Sequence, residues 1–226
     1  SGSFRSCLKC FYSEGIKVQR FFDIFFSGLA LIFLSPLLLL IIFILRITGE
    51  GEIFFKQTRI GKNKIEFQLL KFATMLKNSE NLGAGTVTLK DDFRVLPFGK
   101  FLRKTKINEL PQLFNIFIGN MSVIGPRPLH QKQFSFYSNK DQKLIASVLP
   151  GLSGVGSIVF RDEEQILQNS DDPDKTYREL IAPKKAMLEK WYIENKSIYL
   201  YFKLIVLTIC IVLLPNLKIT RLIKID

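Results

Sequence analysis

Cysteine and histidine are both scarce in this chain, which has three Cys and one His among 226 residues. Cys7 and Cys10 form a single C-x-x-C motif, and Cys210 lies far from them in the sequence. A zinc site would need a second pair of ligands, and three cysteines make no disulfide framework, so ordinary thiols are expected. The single histidine, His130, is expected to have a structural role.

Acidic residues are fewer than basic ones. The chain has 20 Asp and Glu against 32 Lys and Arg, for a net charge of +12. Such an excess of positive charge suits an anionic partner. Nucleic acid, a phosphate-rich substrate and an anionic lipid surface are the three alternatives. Hydrophobic residues make up 47% of the chain and are clustered, and no known nucleic-acid-binding module is present. The composition therefore favours a membrane and disfavours nucleic acid.

One long apolar run carries no charged residue from Ile24 to Leu45. A straight helix of that length would reach roughly 33 Å, enough to cross the core of a bilayer. Pro36 interrupts the run, and because it lacks an N–H and crowds the carbonyl of Ile32, a kink is expected there. Ser35 can satisfy a freed carbonyl. Two interpretations stay open: a kinked spanning helix, or a re-entrant helix that returns to the side it entered.

Basic residues flank this run on both sides, which is typical of a segment whose two ends both face the cytoplasm. They are Lys17 and Arg20 before the run, and Arg46, Lys56, Arg59, Lys62 and Lys64 after it. A second apolar stretch, Ile198–Leu214, is interrupted by Lys203 and is too short to span a membrane. We expect an interfacial helix there, followed by a basic tail over 215–226.

The middle of the chain has the composition of a globular protein. The patterns predict strands at Ile53–Phe55 and Phe67–Phe72, a flexible loop at 78–85, and helices at Pro97–Thr105, Glu109–Ile118 and Asp174–Asn195. The second of these helices carries one apolar face, formed by Leu110, Leu113, Phe114 and Phe117.

The densest group of polar residues lies between Arg103 and Arg127. Asn108 and Glu109 stand at a predicted helix start, where unpaired N–H groups and the helix dipole attract phosphate. Arginines such as Arg103 and Arg127 make bidentate phosphate contacts, and a carboxylate such as Glu109 can bind Mg²⁺. The alternative stays open that Asn108 is an N-cap and that Glu109 only complements the helix dipole.

These motifs, taken in order, resemble those of the bacterial sugar transferase family, the small monotopic phosphoglycosyl transferases. The resemblance extends from about Lys17 to Lys203. Its motifs are Ser35-Pro36, Phe55-Lys-Gln57-Thr-Arg59-Ile-Gly61, Lys71-Phe72-Ala-Thr74-Met75, Arg103 with Glu109-Leu-Pro-Gln112, Gly125-Pro-Arg-Pro128, Pro150-Gly-Leu-Ser-Gly154 and Asn195-Lys-Ser197.

The resemblance implies a helix-rich mixed α/β fold and a monotopic membrane protein. After an N-terminal tail (1–16), we expect a re-entrant helix–break–helix (17–49) and a small cytoplasmic catalytic domain with interfacial amphipathic helices (50–197). An interfacial C-terminal segment with a basic tail (198–226) is expected to follow. The expected location is the cytoplasmic face of the bacterial inner membrane. A homodimer is left open.

The activity implied is transfer of a sugar 1-phosphate from a UDP-sugar to polyprenyl phosphate, which yields polyprenyl-diphosphate-sugar and UMP and uses Mg²⁺. It would be the first membrane step of surface glycan synthesis. The catalytic residues implied are Lys71, Arg103, Asn108 and Glu109, with Glu109 as the metal ligand. The substrate-binding residues implied are Gln57, Arg59, Arg127 and Pro128, while Ser35 and Pro36 form the membrane break.

Arg161 is a further candidate for substrate binding. With Asp162 or Glu163 it would lie beside the nucleotide or the metal. The alternative is that this segment is only a strand, from Gly156 to Phe160, leading into an acidic helix start.

The chain departs from the family at position 108. Asn108 occupies the place of the aspartate that attacks the sugar-linked phosphate, and a carboxamide is a very poor nucleophile. Three explanations stay open: an introduced substitution, attack by Glu109 or by another carboxylate such as Asp162 or Glu163, or a non-catalytic binding or scaffold protein.

Overall fold

The structure, a computed structural model, describes residues 2–48, 50–77, 79 and 92–214. For residues 2–16, 164, 165 and 168 it describes the backbone alone. The predicted loop at 78–85, apart from Ser79, and the predicted basic tail at 215–226 lie outside the described residues.

The described elements form a helix-rich α/β fold with two small sheets, as the sequence predicts. The strands are Phe54–Ile60 (β1), Glu66–Phe72 (β2), Ser122–Ile124 (β3) and Gly151–Ser153 (β4). The helices are Gly2–Thr48 (α1), Pro97–Lys104 (α2), Gln112–Ile118 (α3), Gln131–Ser135 (α4), Asn139–Ile145 (α5), Val155–Val159 (α6), Glu163–Gln168 (α7), Pro173–Thr176 (α8), Ala182–Glu194 (α9) and Ile198–Leu213 (α10). Short 3-10 turns cover Lys62–Lys64 and Ile107–Glu109, and a π-helical turn covers Tyr177–Ile181.

The first sheet is an antiparallel hairpin in which Phe54 pairs with Phe72 and Ile60 with Glu66. Both predicted strands are present, although β1 extends well beyond Phe55. The short strands β3 and β4 pair in parallel and were not predicted, because three residues carry too little pattern to identify a strand.

The helix α1 is continuous from Gly2 to Thr48 and includes the residues predicted as an N-terminal tail. It also continues through Pro36, where a break was expected. The Ser35 hydroxyl donates to the carbonyl oxygen of Ile32 at 2.7 Å. That carbonyl would have bonded the N–H that proline lacks, so the expected role of Ser35 is confirmed. By length and composition, the part from Lys17 could cross a membrane.

Both halves of α1 pack against the globular body. Before Pro36, the Asp23 carboxylate accepts from the backbone N–H of Val123 at 2.9 Å, which joins α1 to β3. After Pro36, the side chains of Leu38, Ile41 and Leu45 are buried in a cluster with Phe72 and Leu102, which joins α1 to β2 and α2.

The helix α3 buries polar side chains and exposes apolar ones, which is the reverse of an ordinary surface helix. Its polar residues Gln112 and Asn115 are buried, whereas Phe114 and Phe117 are each 45% exposed. The predicted apolar face therefore points outward at these two phenylalanines. The reason lies in β2, whose open edge is paired by the Asn115 amide: its oxygen accepts from Leu70 N at 2.9 Å, and its nitrogen donates to a strand carbonyl.

Two predicted elements differ in the structure. The segment after Gly154 is the helix α6 rather than a strand, although an acidic helix does begin at Glu163 as expected. The predicted helix over Asp174–Asn195 is divided into α8, a π-helical turn and α9. Pro183 lies in the first turn of α9 and has no N–H to donate, which accounts for the irregular turn before it.

Candidate active site

The candidate site is assembled where β1, β2, the 3-10 turn before α3 and the Gly-Pro-Arg-Pro turn converge. The Glu109 carboxylate lies at its centre, with Oε1 3.4 Å from Lys71 Nζ and 3.8 Å from Arg127 Nη2. The side chains of Lys71 and Glu109 are 19% and 20% exposed, so their pair is partly shielded from water. Residues far apart in the sequence thus form one charged group.

The turn that carries Asn108 and Glu109 begins at Lys106, whose φ of 58° lies in the left-handed region. The residue before α3 is Pro111, with no side-chain cap. Asn108 is therefore not the N-cap of the helix, because a 3-10 turn separates it from α3. It is buried instead, and within the described ranges its Oδ1 has no hydrogen-bond partner.

Arg59 is a half-buried cation whose Nη2 donates to Gln57 Oε1 at 2.6 Å. Its Nε atom is buried and has no hydrogen-bond partner among the described residues. Burial and the like charge of Arg127 lower the pKa of Arg59 to about 10, although Glu109 acts in the opposite direction. A guanidinium held in this way is poised to bind an anion.

The charges at the centre of the site influence one another. Burial and the two nearby arginines lower the pKa of Lys71, although the Glu109 carboxylate opposes this shift. Burial by itself would raise the pKa of Glu109, but the charges of Arg127, Lys71 and Lys106 together hold it below its ordinary value. Glu109 is therefore a carboxylate at neutral pH.

The site has a surplus of positive charge, since Arg59, Lys71 and Arg127 surround the single carboxylate of Glu109. Lys71 and Arg127 are both paired with Oε1 of Glu109. The described part of the chain has no cluster of three or more His, Cys, Asp or Glu side chains. A metal ion at Glu109 would therefore need further ligands from a bound substrate or water.

The other predicted residues are placed around this group. Arg103 is half-buried in the last turn of α2, and Pro128 is buried directly after Arg127. Arg161 lies 3.8 Å from Asp162, and no hydrogen bond or ion pair within the described ranges joins it to Glu109. His130 is the residue before α4 and caps it without a side-chain bond.

Sequence reasoning missed a buried charged cluster that lies behind the arginines. Lys185, whose side chain is 4% exposed, forms an ion pair with Glu163 and lies over the ring of Tyr177. Burial raises the pKa of Tyr177, and the nearby charges of Arg127 and Arg59 oppose this shift. On a helix rich in lysine and glutamate, nothing in the pattern marks one lysine as buried.

The sequence profile of the bacterial sugar transferase family matches residues 14–215, which include the whole site and both apolar segments. The chain belongs to this family. The resemblance of the ordered motifs is thereby confirmed.

Individual relatives cover this chain to different extents. The exopolysaccharide production protein ExoY of Sinorhizobium fredii is 37% identical over 64% of this chain and 70% of its own length. The uncharacterized sugar transferase EpsL of Bacillus subtilis is 32% identical over 85% of both chains. The UDP-glucose:undecaprenyl-phosphate glucose-1-phosphate transferase of Klebsiella pneumoniae is 34% identical over 84% of this chain, which spans only 39% of that enzyme.

Proposed function

We propose that this sugar transferase moves a sugar 1-phosphate from a UDP-sugar to polyprenyl phosphate and releases UMP. The observation that carries the proposal is the group of Arg59, Lys71 and Arg127 around Glu109, which has two positive charges in excess and suits a diphosphate. The name of the Klebsiella relative states a reaction of this kind. Surface glycan synthesis is the process that this product would serve.

Glu109 is the residue that would hold Mg²⁺. The Glu109 carboxylate would supply an oxygen ligand, and the remaining ligands would come from the diphosphate and water. When bound, Mg²⁺ would neutralise the charge that develops on the leaving phosphate. Arg59, Lys71 and Arg127 would hold the diphosphate oxygens, while Arg103 and Arg161 extend the basic surface.

Glu109 is also the carboxylate best placed to attack in the place of Asn108. Glu163 is engaged by Lys185, and Asp162 is mostly exposed. In a two-step transfer, a Glu109 oxygen bonds to the phosphorus that carries the sugar as the bond to UMP breaks. An oxygen of polyprenyl phosphate then attacks the same phosphorus and displaces Glu109. The non-catalytic alternative is less favoured, because the relatives include named sugar-phosphate transferases and Glu109 keeps its contacts with Lys71 and Arg127.

The protein is proposed to lie on one face of the membrane, the cytoplasmic face of the inner membrane, with α1 re-entrant. Support comes from α1 itself: Asp23 before Pro36 and Leu45 after it both contact the same globular body. A helix that crossed the bilayer would carry these two contacts to opposite sides. A homodimer stays a prediction.

The test is UMP release in detergent with polyprenyl phosphate, Mg²⁺ and a panel of UDP-sugars. We expect release with at least one sugar and a loss of about 100-fold or more in Glu109→Gln, because charge stabilisation and attack both depend on that carboxylate. The exposed Glu179→Gln is the matched control and should retain activity.

Two further outcomes separate the explanations for position 108. If Asn108→Asp releases UMP and the unmodified chain does not, an introduced substitution or a non-catalytic chain is favoured. If neither protein releases UMP with any sugar of the panel, the proposal is contradicted. Mass spectrometry for a phosphosugar adduct on Glu109 distinguishes a nucleophile from a metal ligand, since a ligand alone forms no adduct.

A further inference from the structure

The helix α2 lies between the apolar surface of α1 and the turn that carries Glu109. Leu102 is fully buried against the second half of α1, and Phe98 and Ile107 pack on the same cluster. Close to this junction, α1 exposes the large side chains of Leu39 and Phe43, which are 65% and 62% exposed. In the membrane position proposed above, α2 therefore lies at the level of the lipid headgroups.

The outer face of α2 is basic and aromatic. Lys100 and Lys104 are exposed, and Phe101, next to Lys100 in the sequence, is 53% exposed. The ring of Phe101 stacks on that of Phe98 with centroids 6.0 Å apart, which holds it in place. An aromatic ring beside lysines, at the edge of an apolar surface, is typical of interfacial helices.

The exposed charge of α2 is carried by Lys100 and Lys104, whereas Arg94, which precedes the helix, is paired with Asp92. Lys100 and Lys104 are four residues apart, so like charges repel along one side of α2. Among the described residues, neither lysine has a carboxylate within ion-pair distance, so an external anion is the partner that would relieve this repulsion.

We propose that α2 is a headgroup-binding helix for anionic phospholipids. Lys100 and Lys104 would bind lipid phosphates while Phe101 inserts among the upper acyl chains. The result would be an anionic lipid patch directly beside the catalytic turn, where the lipid substrate must arrive. This inference rests on the membrane position proposed above and extends it to a choice among lipids.

The experiment uses the full chain in nanodiscs that contain equal amounts of phosphatidylcholine and phosphatidylglycerol. After mild detergent extraction, the lipids that copurify are counted by mass spectrometry. We expect the unmodified chain to copurify more phosphatidylglycerol than phosphatidylcholine. In Lys100→Gln/Lys104→Gln, the ratio of the two lipids should fall by roughly fivefold for each lysine removed.

The matched control is Lys140→Gln/Lys143→Gln, which removes the same charge from exposed positions on α5. It should retain the enrichment, as should Lys100→Arg/Lys104→Arg. Equal lipid counts in the unmodified chain, or enrichment that survives in the glutamine variant, would overturn the inference. Displacement of the lipid by millimolar inorganic phosphate would also overturn it, because the site would then bind free phosphate.

The membrane position is checked separately by incorporation into nanodiscs of pure phosphatidylcholine, which needs no anionic lipid. A chain that incorporates but shows no lipid preference overturns the headgroup inference alone. A chain that fails to incorporate overturns the membrane position itself.

Discussion

Glu189 shows how a single buried residue can be constrained by its surroundings. It is 4% exposed and accepts a hydrogen bond from the backbone N–H of Gly156. In the part of the chain that the structure describes, its Oε2 has no hydrogen-bond partner. Burial raises the pKa of Glu189 to about 7, although the charge of Lys185 opposes the shift. A Cβ at position 156 would lie 2.3 Å from Glu189 Oε1, so any larger residue there would require the Glu189 side chain to move.

The pKa of Glu189 makes the free energy of unfolding depend on pH. Because the folded pKa exceeds the unfolded value, the folded protein binds this proton more tightly, and stability is lost as pH rises from about 4.5 to about 7. Glu189→Gln removes the ionisation. We expect its stability relative to the unmodified chain to improve by roughly 3 kcal/mol between pH 4.5 and pH 8.

Chemical unfolding in detergent at the two pH values measures this difference. Glu179→Gln, at an exposed position, is the control and should follow the unmodified chain at both pH values. If the Glu189→Gln curve runs parallel to that of the unmodified chain across the range, folding does not raise the pKa of Glu189 and the prediction is wrong.

At the scale of elements, α1 is joined to β3 and α10 through one carboxylate oxygen. Asp23 Oδ1 accepts from Val123 N at 2.9 Å, from Ser122 Oγ at 3.0 Å and from the Tyr201 hydroxyl at 3.0 Å. Gln19, one turn earlier, donates to Ser122 Oγ at 2.8 Å. The Tyr201 hydroxyl is the contribution of α10 to this junction.

This junction predicts a graded series of variants. Asp23→Ala leaves three donors without their shared acceptor and is expected to lower the free energy of unfolding by about 3 kcal/mol. Tyr201→Phe removes one donor and leaves the other two bonds, so a loss of about 1 kcal/mol is expected. Unfolding in detergent measures both. Equal losses in the two variants would contradict a shared acceptor.

At the scale of the whole molecule, the apolar exposed residues lie mainly on three helices. On α1, α3 and α10 they include Ile32, Phe33, Leu39, Leu40, Phe43, Phe114, Phe117, Ile118, Val206, Ile209, Val212 and Leu213. The helix α10 also buries Leu200, Leu204 and Leu207 at helical spacing, as an interfacial helix would. So much exposed apolar surface on one chain is typical of a membrane protein.

The proposed position predicts the labelling of α1 in cells. With the native cysteines replaced by serine, Lys17→Cys and Thr48→Cys place thiols at exposed positions before and after the apolar run. If α1 is re-entrant, neither should react with a membrane-impermeant maleimide in intact spheroplasts, and both should react after lysis. Reaction of one thiol from outside would show that α1 spans the bilayer, and the proposed position would be wrong.

Local pattern was sufficient for much of the fold, whereas the candidate site residues followed from the resemblance to the family. The uncharged run, the two strands and the basic helix α2 follow from hydrophobic spacing and turn residues, which act over a few positions. Arg59, Lys71, Glu109 and Arg127 were identified by their ordered motifs, and the structure brings these four together.

Other features depend on contacts between distant parts of the chain, which no local pattern records. Asn115 is buried because β2 offers an unpaired edge, and the phenylalanines of α3 consequently point outward. Lys185 and Glu189 are buried because α6 and α7 pack on α9 and supply Gly156 and Glu163 as partners. The sequence by itself thus determined which residues carry the charge and which helix is apolar. Only the tertiary structure decided which polar groups lie inside, because their burial is stable only where a distant partner completes the hydrogen bond or the ion pair.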